Sequence, residues 1–283
     1  MSFKAGVVQL RSGTDEAKNL GEASAMIREA AGQGADFIST PEITNLFEPD
    51  RKAMQAKITR QQDNVSVRGF SDLAKELKRW LHIGSLALKA EDGKVLNRTL
   101  LFAPDGSIAA AYNKIHLYDV DLPNGDRYRE SDVYQAGAEA VTVDLPFCNL
   151  GLAICYDVRF PLLHHALAQA GANVIVTPAA FTVPTGKAHW HVLQRARAIE
   201  TGSFVITAAQ GGDHQNGRST YGHSLVVNPW GEVIAELAHD EPGVLLAEID
   251  VAQAADARAR IPALANTRTF ALRHVSPGTI SAP

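Results

Sequence analysis

The segment LGLAICYDVRFPLLHHALAQAGANVIVT, residues 150–177, contains a complete strand–helix–strand unit. Two apolar runs within it, Leu150–Cys155 and Asn173–Thr177, predict buried strands. Between them a helix is predicted over Pro161–Ala170, with proline at its start and Gly171 after its end. Buried apolar strands that alternate with amphipathic helices indicate an α/β layered fold with helices on both outer sides.

The same alternation runs through the rest of the chain. The strand predicted over Phe3–Leu10 is followed by a helix that Thr14 caps and that stops at Gly32. An Asp-Gly turn separates Val95–Phe102 from Ser107–Tyr112, which is the pattern of a β-hairpin. Hairpins make the sheets mixed, and the strand–helix–strand units in each half indicate two similar sheets in one domain. Further strands are predicted over Asp36–Thr40, Leu81–Leu88, Ala140–Asp144, Phe204–Ala209, His223–Asn228, Val233–Glu236 and Val244–Ile249, and helices over Val65–Trp80 and Lys187–Gly202.

Two segments lack any helical or strand periodicity. The stretch Asp119–Gly137 predicts a long loop, and loops of this length within a compact domain are usually functional or mobile. The last residues, Ala263–Pro283, are expected to form an extended arm, because chain ends are ordered only where other parts of the protein hold them.

The composition restricts the class of protein. The chain has 283 residues, with 27 Lys and Arg against 31 Asp and Glu, and a net charge of −4 argues against nucleic-acid binding. No apolar stretch approaches the ~20 residues of a membrane helix, and the N-terminus lacks the apolar run of a signal peptide. The two cysteines form no disulfide framework. We therefore expect a soluble cytoplasmic protein with no membrane or nucleic-acid partner.

Sequence motifs for common cofactors are incomplete. Near Gly32 and Gly34, Phe37 occupies the place of the third glycine of a dinucleotide-binding motif. The Gly186-Lys187 pair lacks the remaining glycine and hydroxyl residue of a phosphate-binding loop. The ten histidines include no H-E-x-x-H zinc motif. We therefore expect neither a metal nor an organic cofactor.

Three reactive side chains are predicted at strand ends. Cys155 lies where a strand turns into a helix, so its sulfur is expected at the carboxyl end of a sheet, where α/β ligand sites form. A helix N-terminus beside it favours the thiolate, and burial as a small apolar residue is the open alternative. Glu42 and Lys114 also follow predicted strands, although each taken alone has an ordinary surface role as its default interpretation. Cys148 lies in a turn and needs no function.

The motifs around these residues resemble the nitrilase superfamily of carbon–nitrogen hydrolases, whose signature is a Glu–Lys–Cys triad in that chain order. The matching stretches are FISTPEIT around Glu42, YNKIHLYD around Lys114 and GLAICYDVRFP around Cys155, supported by TPAAF, TGKAHWHVLQRARAIE, YGHSLVVNPWGEV and IPALANTRTF. The resemblance covers about Phe3 to Phe270. It implies a four-layer α-β-β-α sandwich of two mixed sheets flanked by helices, with a domain over residues 1–270. Residues 271–283 would be a tail that serves as an oligomer arm, in a homodimer or larger homo-oligomer.

The resemblance also implies roles for these residues in amide hydrolysis. Cys155 would attack the amide carbonyl, and Glu42 would take the thiol proton and later activate water. Lys114 and the backbone N–H of Tyr156 would stabilise the oxyanion. Glu130, 16 residues after Lys114, matches a second family glutamate that would orient Lys114 or the departing amine.

The substrate is expected to be a small acidic amide. The chain most resembles the deaminated glutathione amidase and ω-amidase branch, and deaminated glutathione is favoured, with cleavage of a terminal carboxamide to acid and ammonia. Alternatives are α-ketoglutaramate, N-carbamoyl amino acids, nitriles or a non-catalytic scaffold. Arg159 could bind a substrate carboxylate or form a structural ion pair. Phe181 and Thr182 could wall the pocket. Asn113 and Leu162 depart from the family's common Arg and Glu, and Leu162 removes an ion-pair partner.

Overall fold

The secondary structure follows the predicted alternation closely. The protein is described from a computed structural model, which covers residues 1–122, 125–215 and 217–276. Strands and α helices of the first part of the chain are β1 (Ser2–Gln9), α1 (Glu16–Gly32), β2 (Phe37–Ser39), α2 (Arg51–Lys57), α3 (Val65–Leu77), β3 (Trp80–Lys89), β4 (Val95–Phe102), β5 (Ile108–Asn113), β6 (Asp119–Asp121), β7 (Arg127–Arg129) and β8 (Tyr134–Gln135).

The second part of the chain continues in the same manner. Its strands and α helices are β9 (Val141–Asp144), β10 (Asn149–Leu152), α4 (Pro161–Gln169), β11 (Val174–Val176), α5 (Val183–Thr201), β12 (Phe204–Thr207), β13 (Gly211–Asp213), β14 (Ser219–Tyr221), β15 (Leu225–Val227), β16 (Val233–Glu236), β17 (Gly243–Asp250) and α6 (Ala252–Arg260). Short 3-10 helices occur at Gln61–Asp63, Glu130–Asp132 and Cys155–Arg159.

These strands build two mixed sheets. The first has the order β17-β1-β2-β3-β4-β5, with β8 beside β4, and the second has the order β16-β15-β12-β11-β10-β9. In each sheet three adjacent strands are parallel (β1, β2 and β3 in one, β10, β11 and β12 in the other), and the flanking strands pair antiparallel. The prediction of two similar mixed sheets is therefore confirmed.

Alternation of side chains along the strands sorts the core into layers. Val7 of β1 packs between the two sheets against residues of the second sheet such as Val176, whereas the adjacent Val8 packs under α1 and α3 with Ile27 and Phe70. On the other side, Leu167 of α4 covers the outer face of the second sheet. The layers are thus helix, sheet, sheet and helix, as the four-layer prediction required.

Helix ends differ from the predictions by a few residues. The cap of α1 is Asp15 rather than Thr14, because the Asp15 carboxylate accepts the N–H of Lys18 at 3.0 Å. Helix α5 begins at Val183 rather than Lys187, since Pro184 is compatible with a first helical turn.

The prediction of an unstructured loop over Asp119–Gly137 is wrong. Strands β6 and β7 form a small antiparallel hairpin, in which Arg127 and Arg129 both form ion pairs with Asp121. Opposite charges across a short ladder provide a local stabilisation that apolar periodicity does not reveal. Pro123 and Asn124 lie outside the described residues.

The predicted C-terminal arm is only partly described. Residues 261–276 contain turns but neither helix nor strand, and Phe270 and Leu272 are exposed. Pro277–Pro283 lie outside the described residues, so the proposed role of 271–283 as an oligomer arm stays a prediction.

Candidate active site

Glu42 lies on the loop that follows β2 and is held by β3. The Ser85 hydroxyl accepts the N–H of Ile43 at 2.7 Å, and the N–H of Ser85 donates to the Pro41 carbonyl at 3.1 Å. Gly84 makes this approach possible, because a Cβ on it would lie 2.0 Å from the Thr40 carbonyl oxygen. The loop is therefore pinned to the sheet, and the Glu42 side chain is buried.

Lys114 follows β5 directly, and its side chain is buried between two carboxylates. Its Nζ lies 2.7 Å from Glu42 Oε1, 2.9 Å from Glu130 Oε2 and 3.1 Å from Glu130 Oε1. Burial lowers the pKa of Lys114, but the charges of Glu130 and Glu42 outweigh it and hold that pKa well above its usual value. The ammonium is therefore charged at neutral pH.

Asn97, on β4, joins the two glutamates. Its Nδ2 donates to Glu42 Oε1 at 2.9 Å and to Glu130 Oε1 at 3.2 Å, and the side chain is 1% exposed. The backbone N–H of Tyr118 also donates to Glu130 Oε2 at 2.6 Å. Both carboxylates are thus fixed by donors other than Lys114, and each is oriented towards the ammonium.

Cys155 lies beyond the end of its strand rather than within it. Strand β10 ends at Leu152, and Cys155 begins a 3-10 helix with a positive φ of 49°. Its N–H donates to the Pro178 carbonyl at 2.8 Å. A non-glycine residue in the left-handed region carries a conformational cost and is common at functional sites.

The Asp157 carboxylate holds the Cys155 turn in place through hydrogen bonds. Its Oδ2 accepts the Ile154 N–H at 2.8 Å and the Tyr112 hydroxyl at 2.7 Å, and its Oδ1 pairs with Nδ1 of His116 at 2.7 Å. Because Tyr112 and His116 flank Lys114 in the chain, Asp157 fixes the Cys155 turn relative to the lysine.

The expected stabilisation of a Cys155 thiolate by a helix N-terminus is wrong. Burial raises the pKa of the Cys155 thiol well above its usual value, and the nearby Glu42 carboxylate raises it further, while Lys114 acts in the opposite direction. The thiol lies within hydrogen-bonding reach of Glu42. The resting cysteine is therefore a protonated thiol beside a carboxylate.

The three predicted residues open onto one cavity of about 310 Å³. Its lining includes Glu42, Lys114 and Cys155 together with Glu130, Tyr156, Arg159, Phe181 and Thr182, so the structure brings together every residue predicted for the site. This volume lies within the range of small-molecule pockets.

Arg159 is held by rings rather than by an acid. Its Cζ lies 5.6 Å from the centre of the Phe181 ring and 5.9 Å from that of Tyr156, and its NH2 lies 3.3 Å from His189 Nδ1. Within the ranges that the structure covers, no carboxylate forms an ion pair with Arg159. Arg159 therefore does not form the structural ion pair that was the alternative interpretation.

Several cavity residues were not predicted from the sequence. A further part of the lining is formed by Phe47, Met54, Tyr128, Tyr134 and Arg218, which come from the α2 region, the β7–β8 region and the turn before β14. The Arg218 Cζ lies 5.1 Å from the Phe47 ring centre and 5.2 Å from that of Tyr128. Asn97 was also missed. So was the backbone N–H of Ala180, which donates to Glu42 Oε2 at 3.0 Å, although Ala180 lies in the matching stretch TPAAF.

The two departures from the family pattern have different surroundings. Asn113 accepts from Arg98 Nε at 2.7 Å, so it is tied to the neighbouring strand. Leu162 is 82% exposed and lies outside the cavity lining. Its replacement of a glutamate therefore leaves the cavity wall unchanged.

The described residues contain neither a metal-binding cluster nor a membrane-spanning helix. Among residues 1–122, 125–215 and 217–276, no three His, Cys, Asp or Glu side chains gather in a way that could hold a metal ion. In the same part of the chain, no helix has the combined length and apolar character of a membrane span.

The fold and this arrangement of residues agree with comparisons with known proteins. The model of the carbon–nitrogen hydrolase family matches residues 4–259. The chain belongs to the carbon–nitrogen hydrolase family, and it is a hydrolase of carbon–nitrogen bonds in amides other than peptide bonds.

Similar proteins are found among nitrilase-superfamily members. Human omega-amidase NIT2 is 38% identical over 268 residues, which cover 95% of this chain and 96% of the human protein. The Caenorhabditis elegans NitFhit structure superimposes with a TM-score of 0.88 at 35% identity, over 94% of this chain but only 65% of the worm protein. Saccharomyces cerevisiae Nit3, described as a member of branch 10 of the nitrilase superfamily, has a TM-score of 0.83 at 29% identity, over 92% of this chain and 94% of the yeast protein.

Proposed function

We propose that this protein is a cysteine amidase in which Glu42, Lys114 and Cys155 act on one amide carbonyl. The observation that carries the proposal is the buried Lys114 ammonium, 2.7 Å from Glu42 and beside a thiol that burial keeps protonated. A protonated nucleophile needs a base in contact with it, and Glu42 is that base. No cofactor enters the proposed reaction.

The first half-reaction forms a thioester. Glu42 takes the proton from Cys155 as the sulfur attacks the carbonyl carbon, and the developing oxyanion is stabilised by Lys114 and the Tyr156 N–H. Glu42 then gives the proton to the leaving nitrogen, the carbon–nitrogen bond breaks and the amine departs. Glu130 acts on Lys114, because both of its oxygens contact Nζ.

The second half-reaction releases the acid. Water enters the place of the amine, and Glu42 removes its proton as the oxygen attacks the thioester. Collapse of the intermediate expels the Cys155 sulfur, which regains the proton from Glu42. Atoms balance as one amide and one water giving one acid and one amine.

We propose an acyl group of the 2-oxo-dicarboxylic type, with deaminated glutathione as the favoured substrate. Arg159 supports this proposal because its guanidinium lines the cavity, has rings rather than an acid beside it, and is suited to fork onto a carboxylate. Phe181 and Thr182, both buried, would form the wall beside it. Deaminated glutathione is a secondary amide, so its cleavage releases cysteinylglycine. The expectation of ammonia as product applies only to primary carboxamides.

A second candidate is an ω-amidase reaction on α-ketoglutaramate. It is favoured by the similarity, at 35–38% identity, to several vertebrate proteins named omega-amidase NIT2. The two candidates share the α-ketoglutaryl group and differ only in the leaving amine. Both therefore yield α-ketoglutarate.

The test is a substrate panel with a matched pair of cysteine variants. Formation of α-ketoglutarate from deaminated glutathione and α-ketoglutaramate is followed through glutamate dehydrogenase, and N-carbamoyl amino acids and nitriles are assayed by ammonia release. We expect Cys155→Ala to abolish turnover and Cys148→Ala, which removes the other buried thiol, to retain it. Activity in Cys155→Ala would refute the nucleophile, and inertness of the wild type towards all amides would refute the substrate class.

We further propose that the protein acts in the cytoplasm as a homodimer. Both cysteines are free thiols, which suits a reducing compartment. Helices α4 and α5 expose Leu162, Val192 and Ile199, and Trp230 is exposed as well. Large apolar side chains on one side of the molecule support a subunit interface there, and light scattering after size-exclusion chromatography tests it.

A further inference from the structure

The carboxylate of Glu130 has all of its acceptor positions occupied. A carboxylate has two oxygens with two lone pairs each, so it is saturated by about four hydrogen bonds. On Glu130, Oε1 accepts from Lys114 Nζ at 3.1 Å and from Asn97 Nδ2 at 3.2 Å. Its Oε2 accepts from Lys114 Nζ at 2.9 Å and from the Tyr118 N–H at 2.6 Å. A proton on Glu130 would therefore have to displace one of these donors.

The carboxylate of Glu42 has one acceptor position left. Its Oε1 accepts from Lys114 Nζ at 2.7 Å and from Asn97 Nδ2 at 2.9 Å, which occupies both lone pairs of that oxygen. Its Oε2 accepts the Ala180 N–H at 3.0 Å, and the second lone pair remains for the Cys155 thiol, which lies within reach of Glu42. A proton taken up by Glu42 is therefore carried by Oε2, because the ammonium and the amide at Oε1 can only donate.

Asn97 occupies one acceptor position on each glutamate with a single amide group. Its two side-chain N–H bonds point to two different carboxylates, and its backbone carbonyl accepts the Lys114 N–H at 2.9 Å. The next residue on β4, Arg98, donates to Asn113 Oδ1 on β5 at 2.7 Å. The 1% exposed Asn97 side chain is thus held in register with the lysine by the pairing of these two strands.

The amide oxygen of Asn97 indicates that this residue is not kept for stability. Oδ1 is buried and has no hydrogen-bond partner in the described part of the chain. Turning the amide over would set Oδ1 against two carboxylates, so the nitrogen has to face them. An unpaired buried polar atom lowers stability, and a functional role of the other end of the amide accounts for the retained cost.

We infer that Asn97 is a positioning residue that directs the catalytic proton to Oε2 of Glu42 and keeps Glu130 out of proton transfer. The inference rests on the proposed amidase function and assigns the protons of both half-reactions to one oxygen atom. In thioester formation, the S–H bond of Cys155 breaks as Oε2 gains the proton and the sulfur bonds to the carbonyl carbon, and Oε2 then passes that proton to the leaving nitrogen. In thioester hydrolysis, Oε2 takes a proton from water and returns it to the expelled sulfur.

The experiment compares two buried asparagines, one inside the site and one outside it. Asn97→Leu removes both amide donors with little change in volume. Asn64→Leu is the matched control, since Asn64 is 0% exposed, donates to Glu16 Oε1 at 2.9 Å and lies outside the cavity lining. Asn64 also caps α3 by accepting the Val67 N–H at 3.0 Å. The readouts are kcat and KM on the best amide of the panel, together with the melting temperature.

We expect Asn97→Leu to lower kcat about 10- to 100-fold, the range for hydrogen bonds to charged groups, while KM stays close to the wild-type value. Its melting temperature should not fall, because the unpaired oxygen is removed and each carboxylate keeps its other donors. Asn64→Leu should do the reverse, with a lower melting temperature through the lost α3 cap and a wild-type kcat. Asn97→Ala, which removes the same donors without introducing a branched side chain, should lose kcat to a similar extent.

The outcomes separate this inference from the proposed function. A wild-type kcat in Asn97→Leu would overturn the inference, and so would a loss confined to the leucine variant or accompanied by a drop in melting temperature like that of Asn64→Leu. A raised KM at unchanged kcat would place Asn97 in substrate binding and would also contradict it. In each of these cases the amidase stands. If wild type turns over no amide of the panel, the proposed function fails and the inference falls with it.

Discussion

Replacement of Glu130 by glutamine isolates the second carboxylate of the site. Both Glu130 oxygens contact Lys114 Nζ, at 2.9 and 3.1 Å, and Asn97 Nδ2 lies 3.2 Å from Oε1. Glutamine is nearly isosteric and keeps one acceptor oxygen. The substitution therefore removes a negative charge with little change in packing, while Glu42 remains beside the ammonium.

The size of the effect follows from the contacts that are lost. A hydrogen bond to a charged group contributes about 1.5–3 kcal/mol, which corresponds to roughly a 10- to 150-fold loss in kcat/KM if the interaction supports the transition state. The sign of the pH effect is also fixed. Glu130 raises the pKa of Lys114 whereas burial lowers it, so losing Glu130 lowers that pKa. The alkaline limb of activity, where Lys114 loses its proton, should move to lower pH.

The assay is the pH profile of kcat/KM on the best substrate of the panel, from neutral pH to beyond the usual pKa of lysine, because the Lys114 limb of wild type lies there. Glu76→Gln provides the matched control, because Glu76 is paired with Arg28 at the surface. Its profile should overlay that of wild type. An unchanged alkaline limb in Glu130→Gln, or a loss in rate that is the same at every pH, would show that Glu130 does not tune Lys114 and would refute this reasoning.

Three further predictions concern the thiol, the glycine contact and acid stability. Because burial and Glu42 raise the pKa of Cys155, alkylation by iodoacetamide should be slow at neutral pH and accelerate with pH; a rate independent of pH would contradict a protonated thiol. Gly84→Ala should destabilise the fold by several kcal/mol, because the new Cβ would clash with the Thr40 carbonyl. Gly21→Ala, which has no atom within 4 Å of the new Cβ, should instead stabilise α1 by about 0.5–1 kcal/mol. Urea unfolding measures both free energies, and equal effects would contradict the close approach at Gly84. Burial lowers the pKa of His82 to about 3, so below pH 6.5 the unfolded protein binds a proton at this residue that the folded protein does not. The free energy of unfolding should therefore fall by roughly 2–3 kcal/mol between pH 7 and 4.5. His82→Gln should lose that share of the pH dependence.

The apolar pattern of the sequence predicted the fold and placed the three central residues at strand ends, and the resemblance to the nitrilase superfamily predicted that they act together. Apolar runs and glycine or proline boundaries locate strand ends, and side chains just past strand ends gather at one edge of a sheet. Glu42 and Lys114 follow β2 and β5 of the first sheet and Cys155 follows β10 of the second, so the site forms where strand ends of the two sheets meet. The mixed character of the sheets followed from the hairpin, and the layers followed from the alternation of buried strands and amphipathic helices.

Other features depend on contacts between distant parts of the chain. Asn97 lies inside a strand, where a lone amide resembles any polar strand residue until Glu42 and Glu130 are brought beside it. The protonated state of Cys155 could not be predicted from the local turn, because the degree of burial and the Glu42 charge come from elsewhere in the fold. Arg218 was missed because aromatic rings from two other segments give it its place.

The central claim is that Cys155 forms a thioester with the acyl group of the amide. Rapid acid quenching of the reaction with α-ketoglutaramate or deaminated glutathione, followed by peptide mass spectrometry, tests it directly. We predict an α-ketoglutaryl group on the peptide that contains Cys155, formed in wild type and absent in Cys155→Ala. An enzyme that turns over the amide without that adduct under single-turnover conditions, or that carries the adduct on Cys148, would contradict the account.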